Sequence, residues 1–267
     1  MSTQHKSVVR CHVHAGSIYV AELCRPSTRN AFNDAMYEQL TAALKKFEAD
    51  DSLHAFVLTG HGDYFTSGAD MNELAFLLSD NSLRPFSQSP VFTFLHTMLK
   101  CKKLLVAAVN GPAVGIGVTM LMHFDLVYAA ASATFWTPFL RAGIMPEFAS
   151  SYTFPHFLGP TVAANLLIRS KVYNAQDALL AKLVGSVVPT HGFLNTVLQE
   201  LTVLVTNCSN KKLLPLYKSL LRHQSAPQIQ EALDREFKQL DHLVASGDLL
   251  TTIKECQKQL TKKSSKL

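Results

Sequence analysis

The sequence predicts an α/β fold with a helical C-terminal region, and three observations carry that prediction. Apolar, strand-like runs alternate with helix-spaced segments to about residue 130. Beyond Gly159-Pro160 the pattern becomes almost wholly helical. No linker separates the two parts, so 267 residues make one large body or two small ones.

The elements follow in order. Residues 8–14 and 17–24 flank Ala15-Gly16 and read as a β-hairpin. After the loop 25–30, Asn33 or Asp34 caps a helix in which Met36, Leu40, Ala43, Leu44 and Phe47 recur at helical spacing. Residues 54–59 form a short apolar strand, followed by a loop at 64–70 and a helical patch at 71–78. Residues 80–90 are polar and read as a mobile connection. Residues 104–124 hold no Asp, Glu, Lys or Arg, which raises a membrane span. The turn tripeptide Asn110-Gly111-Pro112 argues instead for a buried strand (104–109), a turn and a buried helix. A strand at 125–129 precedes a loop region, 133–151, rich in proline and aromatics. Helices are then predicted at 161–169, 175–183, 193–207, 211–223 and 227–246. In the last, Ile229, Leu233, Phe237, Leu240 and Val244 form a stripe.

Charge and cysteine usage narrow the class. The formal charge of +5 includes Lys262, Lys263 and Lys266 at the end of the chain, and no basic stripe with interleaved aromatics marks a nucleic-acid face. The five cysteines are scattered, with no C-x-x-C and no secretory-type segment ahead of the first strand. Free thiols are therefore expected rather than a disulfide framework. Cys11-His12-Val13-His14 lacks further metal ligands, so no metal is expected. The terminal Ser265-Lys266-Leu267 reads as a peroxisomal address, the binding site for an import receptor.

Several familiar signatures are missing. Gly115-x-Gly117 lacks a third glycine, no P-loop is present, and no G-x-S-x-G occurs. Two glycine-containing loops remain, Phe65-Thr66-Ser67-Gly68-Ala69-Asp70 and Asn110-Gly111-Pro112-Ala113-Val114-Gly115-Ile116-Gly117. Each follows an apolar strand. Backbone N–H groups from two such loops can converge on a developing oxyanion.

Together, and in this order, these loops resemble the enoyl-CoA hydratase/isomerase (crotonase) superfamily. The resemblance begins at Cys24-Arg25-Pro26 with Asn30-Ala31-Phe32 and runs through both loops into the helical tail. Residues 133–139, Pro146-Glu147 and 150–155 look most like the peroxisomal Δ3,Δ2-enoyl-CoA isomerases, without the acyl-CoA-binding domain some of them carry. The resemblance implies a ClpP-like spiral of ββα repeats over residues 1–200. It further implies a helical trimerisation region over 201–260, a tail at 261–267, and trimers or hexamers.

It also implies roles. The N–H groups of Ala69 and Ile116, after Gly68 and Gly115, would hold a thioester oxygen. The two glutamates of hydratases fall at Thr119 and Phe139, and dienoyl-CoA isomerases need acids at Phe139 and Glu147; only Glu147 is an acid. A single carboxylate suffices to move a proton from C2 to C4, so a Δ3,Δ2-isomerase is implied, with another crotonase-fold acyl-CoA enzyme such as a hydratase, or a non-catalytic scaffold that binds CoA or a protein, as the alternatives. Trp136, Phe139, Leu140 and Phe148 are expected to make an apolar pocket that raises the Glu147 pKa. Coenzyme A, as part of the substrate rather than a cofactor, would lie along Ala31, Ser67, Gly68, Ala69, Asp70 and Met71, with Gly115 and Ile116 beyond. Arg29 would meet its phosphates. Phe148 stands where many isomerases carry glycine. The implied location is the peroxisomal matrix or a related organelle such as the glycosome.

Overall fold

The structure, a computed structural model, describes residues 7–79 and 85–255. Residues 80–84 of the polar connection and the Ser265-Lys266-Leu267 terminus lie outside the described residues.

Two sheets organise the chain. The larger contains β1 (Val9–His14), β2 (Ile18–Leu23), β3 (Ala55–Gly60), β4 (Leu104–Val109), β6 (Leu126–Ala130) and β9 (Ser186–Val188) in that spatial order. The smaller contains β5 (Ala113–Val114), β7 (Thr134–Trp136) and β8 (Tyr173–Asn174). The β1–β2 pair is the predicted antiparallel hairpin, closed by left-handed Ala15 and Gly16. From β2 onward the large sheet is parallel. A parallel sheet demands crossovers, and the chain supplies them as a spiral. After β4 and again after β6 it drops into a short strand of the small layer, then a helix: β4–β5–α4 and β6–β7–α5 repeat the pattern. Thr66 bridges to Ala113 in the corresponding step after β3.

The helices are α1 (Asp34–Ala49), α2 (Met71–Ser79), α3 (Pro90–Lys100), α4 (Ile116–Thr119), α5 (Phe139–Ala142), α6 (Ser150–Thr153), α7 (Pro160–Leu167), α8 (Ala175–Leu180), α9 (Phe193–Asn207), α10 (Leu213–Arg222) and α11 (Ala226–Ala245). Asn33 caps α1 by accepting the Met36 N–H at 3.0 Å, and the five predicted apolar positions of that helix are buried. One face of the large sheet packs against α1 and α3 through Leu40, Phe47, Phe56 and Leu105. The other packs against α9 through Val57, Val106, Val197 and Leu201. Residue 200 therefore falls inside a helix that is part of the sheet core. Asp125 ties α10 to that core through ion pairs with Lys218 at 2.9 Å and Arg222 at 3.0 Å. Among the described residues no helix is long and apolar enough to cross a membrane.

Two expectations need correction. The region 133–151 is not one loop: it contains β7, α5 and the start of α6, each three or four residues long. The helix after Asn110-Gly111-Pro112 has only four α-helical residues before it tightens into a 3-10 segment at Met120–His123. Strands β8 and β9 were not predicted, being too short for an alternating pattern.

Candidate active site

The first glycine loop is built outward from Asn30. This buried, left-handed residue accepts the Arg25 N–H at 2.9 Å and donates to the His61 and Tyr64 carbonyls at 2.9 and 2.8 Å. Its own carbonyl accepts the Thr66 hydroxyl at 2.7 Å, and that hydroxyl in turn accepts the Gly68 N–H at 3.0 Å. Arg25 adds an ion pair to Asp70 at 3.0 Å, closing the far end of the loop.

This frame orients Ala69. In its bridge to Phe32, Gly68 accepts the Phe32 N–H and Asp70 donates to the Phe32 carbonyl, both at 2.8 Å. The intervening Ala69 N–H therefore points the other way and donates to no acceptor among the described residues. The Ile116 N–H, at the start of α4, is likewise undonated among the described residues. The glycines preceding these two donors touch: a Cβ on Gly68, whose φ is +89°, would lie 3.8 Å from Gly115 Cα and 3.0 Å from the Val114 carbonyl oxygen. Gly117 is required for a different reason, since a Cβ there would run into Thr66 Cγ2.

A cavity of about 370 Å³ opens beside the first loop. Ala69, Asp70, Phe32 and Tyr37 form one wall, Leu74, Leu77 and Leu95 another, and Phe237, Leu240 and Leu249 close it from the C-terminal helices. Glu147 lines its wall on the loop before α6. Burial, with the Glu236 carboxylate nearby, pushes Glu147 up to about 8. Several other acids share the cavity but are engaged: Asp70 with Arg25, Glu73 with the Asp34 N–H at 3.2 Å, and Glu236 with two backbone N–H groups. No hydrogen-bond donor among the described residues holds the Glu147 carboxylate.

The pocket expected around Glu147 is assembled differently. Of Trp136, Phe139, Leu140 and Phe148, only Phe148 lines the cavity. Trp136 donates to the Ser170 carbonyl at 3.0 Å, Phe139 packs beside Gly115, and Leu140 is 64% exposed because the short α5 turns it outward. Phe148 does occupy a glycine-like position, with φ +62°, followed by Ala149 at +57°. Its ring turns into the core, 5.0 Å from His123 and 6.2 Å from Phe94, and its carbonyl accepts His123 Nε2 at 2.6 Å.

The remaining predicted residues fall in two groups. Ser67, Gly68, Ala69, Asp70 and Met71 run contiguously into α2. Arg29 joins them through the Ser67 N–H, donated to its carbonyl at 2.8 Å, while its guanidinium lies 5.2 Å over the Tyr64 ring. Ala31 is buried and accepts Arg25 Nη1 at 2.5 Å. Gly115 and Ile116 adjoin the loop but do not line the cavity itself. Sequence reasoning missed Glu236. Its signal was positional: it lies three residues after Leu233 and four before Leu240, an acid on the apolar stripe of α11.

Two backbone donors and a raised, unpaired carboxylate can together serve proton transfer next to a carbonyl group. That chemistry and the spiral fold define a class, and the comparisons agree with it. Residues 14–260 match the family model for enoyl-CoA hydratase/isomerase, so the chain belongs to that family and has the crotonase fold. It is 40% identical to rat enoyl-CoA delta isomerase 2, over 67% of this chain and 46% of that protein. It is also 40% identical to mouse enoyl-CoA delta isomerase 3, peroxisomal, over 63% of this chain and 53% of that one. The chain thus spans about half the length of these relatives. The crystal structure of an enoyl-CoA hydratase/isomerase from Pseudoalteromonas atlantica T6c superposes with a TM-score of 0.84 at 28% identity, covering 96% of this chain and 98% of that one.

Proposed function

We propose that this protein is a Δ3,Δ2-enoyl-CoA isomerase with Glu147 as its single acid/base. The observation that carries the reading is Glu147 itself, a buried cavity carboxylate with no hydrogen-bond donor or ion-pair partner among the described residues. The positions matching the hydratase glutamates are Thr119 and a buried Phe139, neither able to activate water. The reaction runs in two balanced steps. Ionised Glu147 takes a proton from C2 of the 3-enoyl thioester, and the electrons flow into a dienolate whose oxygen rests on the Ala69 and Ile116 N–H groups. Protonated Glu147 then returns that proton to C4, the double bond settles between C2 and C3, and the carboxylate is regenerated. Each backbone donor is worth about 3–4 kcal/mol of transition-state stabilisation.

Coenzyme A would follow Ala31 and the Ser67-Gly68-Ala69-Asp70-Met71 strip, with Arg29 toward its phosphates. The terminal Ser265-Lys266-Leu267 and the name of the mouse relative support a peroxisomal location. Exposed Leu216, Tyr217, Leu220 and Leu221 on α10 support assembly of several copies as a trimer or hexamer.

The test is conversion of a 3-enoyl-CoA to the conjugated 2-enoyl thioester. Robust conversion, little hydration of crotonyl-CoA, and a loss of at least about 100-fold in Glu147→Gln are expected. Hydration as the faster reaction, or an undiminished Glu147→Gln, would overturn the reading.

A further inference from the structure

The C-terminal helix α11 brings Glu236 behind the loop that carries Glu147. Glu236 is buried, yet both its oxygens are committed: Oε2 accepts the Ala149 N–H at 2.7 Å and Oε1 accepts the Ser151 N–H at 2.9 Å. Those donors lie two and four residues beyond Glu147. Between Glu147 and Ser151 sit Phe148 and Ala149, two successive non-glycine residues in the left-handed region. Such a pair persists only where its surroundings over-determine it. Here His123 holds the Phe148 carbonyl from one side while Glu236 holds the two N–H groups from the other.

We propose that Glu236 is a positioning residue for Glu147: its carboxylate fixes the 147–151 loop so that Glu147 faces the cavity, and its negative charge opposes ionisation of Glu147. The role rests on Glu147 being the acid/base proposed above. Glu236 is not itself catalytic, because both oxygens are turned to backbone. Among the described residues no cation lines the cavity to offset that charge. Besides Glu236, the titratable groups facing the cavity are Asp34, Tyr37 and Glu38 from α1 and Asp70 and Glu73 at α2; none is a cation. Arg25 is paired with Asp70, and Arg235, next to Glu236, reaches Glu231 at 2.6 Å. His123, behind the loop, is pushed down to about 4 by burial and stays neutral near pH 7. Burial raises Glu236 too, against the pull of the Ser151 side chain, its two N–H donors and Arg235. Glutamine could not replace it, since its one carbonyl oxygen accepts one N–H while its NH₂ opposes the other.

The test is titration of side-chain carboxyls by carbon NMR in protein labelled at glutamate, with the Glu147 signal identified by its loss in Glu147→Gln. In Glu236→Gln the Glu147 midpoint is expected to fall by at least about one pH unit. In the same variant kcat on a 3-enoyl-CoA is expected to fall at least about tenfold, with KM changed less than about threefold. An unchanged Glu147 midpoint overturns the proposal whatever happens to turnover. If Glu236→Gln does not fold, Glu236→Ala, which removes the charge without setting an NH₂ against a backbone N–H, is read in its place, and an unmoved Glu147 midpoint again overturns the proposal. The NMR arm needs no substrate. Coupled titration in a protein without isomerase activity would sink the proposed reaction while supporting the positioning role.

Discussion

Activity is expected to rise steeply between pH 6 and pH 8. Glu147 must be ionised to take a proton from C2, and burial beside Glu236 pushes it up to about 8. Its ionised fraction is then about 1% at pH 6, about 9% at pH 7 and about 50% at pH 8. Because kcat/KM reports the free enzyme, it should climb about fiftyfold across that interval. An ordinary glutamate would be more than about 95% ionised throughout and give a flat profile. Initial rates of conjugated-thioester formation at low 3-enoyl-CoA, in buffers of constant ionic strength, measure the climb. A profile flat within about twofold from pH 6 to pH 8 would refute the reasoning. The same group carries a stability consequence whose sign is fixed. The folded value lies above the unfolded one, so the contribution is complete below about pH 4.5 and is lost as pH rises through about 8. In urea denaturation, Glu147→Gln should therefore exceed the parent by about 3–5 kcal/mol at pH 8 and match it near pH 4.

Other perturbations reach the frame of the site. Gly117→Ala drives a Cβ against Thr66 Cγ2 and should cost at least about tenfold in kcat/KM; adding Thr66→Ser removes that methyl, keeps the hydroxyl and should restore most of it. Asn30→Ala removes three buried side-chain hydrogen bonds from a left-handed residue, with an expected loss of about 3 kcal/mol or more in denaturant unfolding. His123 donates through Nε2 while its buried Nδ1 has no partner among the described residues, so protonation would create an orphaned N–H. Its folded value of about 4 lies below the unfolded one, so stability should drain by up to about 1.4 kcal/mol per unit as pH falls from 6.5 to 4. His123→Gln should flatten that decline.

Much of this arrangement was legible before folding. The cap at Asn33, the hairpin turn and the strands before both glycine loops follow from local chemistry, and the loops fell where the fold brings them together. Helix α3 escaped although Ser89 caps it locally by accepting the Phe92 N–H; most of the rest depends on contacts distant in sequence. Strand β7 has three residues and pairs with β5 and β8, so no local period marks it. Leu140 looked like pocket lining because it lies seven residues before Glu147, yet the one-turn helix α5 sends it to solvent. The cavity is closed instead by Leu240 and Leu249, roughly a hundred residues along the chain. Glu236 reaches its loop across 85–87 residues of intervening sequence, a partnership that only the packed structure exposes.

The central claim is that one carboxylate carries the proton from C2 to C4. A 3-enoyl-CoA deuterated at C2, converted in ordinary water and read by mass and NMR at C4 of the product, tests it most directly. The account predicts deuterium at C4 in excess of any solvent-derived background, and no conversion above about 1% of the parent rate in Glu147→Gln. Product whose C4 hydrogen comes wholly from water, formed equally well by Glu147→Gln, would contradict it.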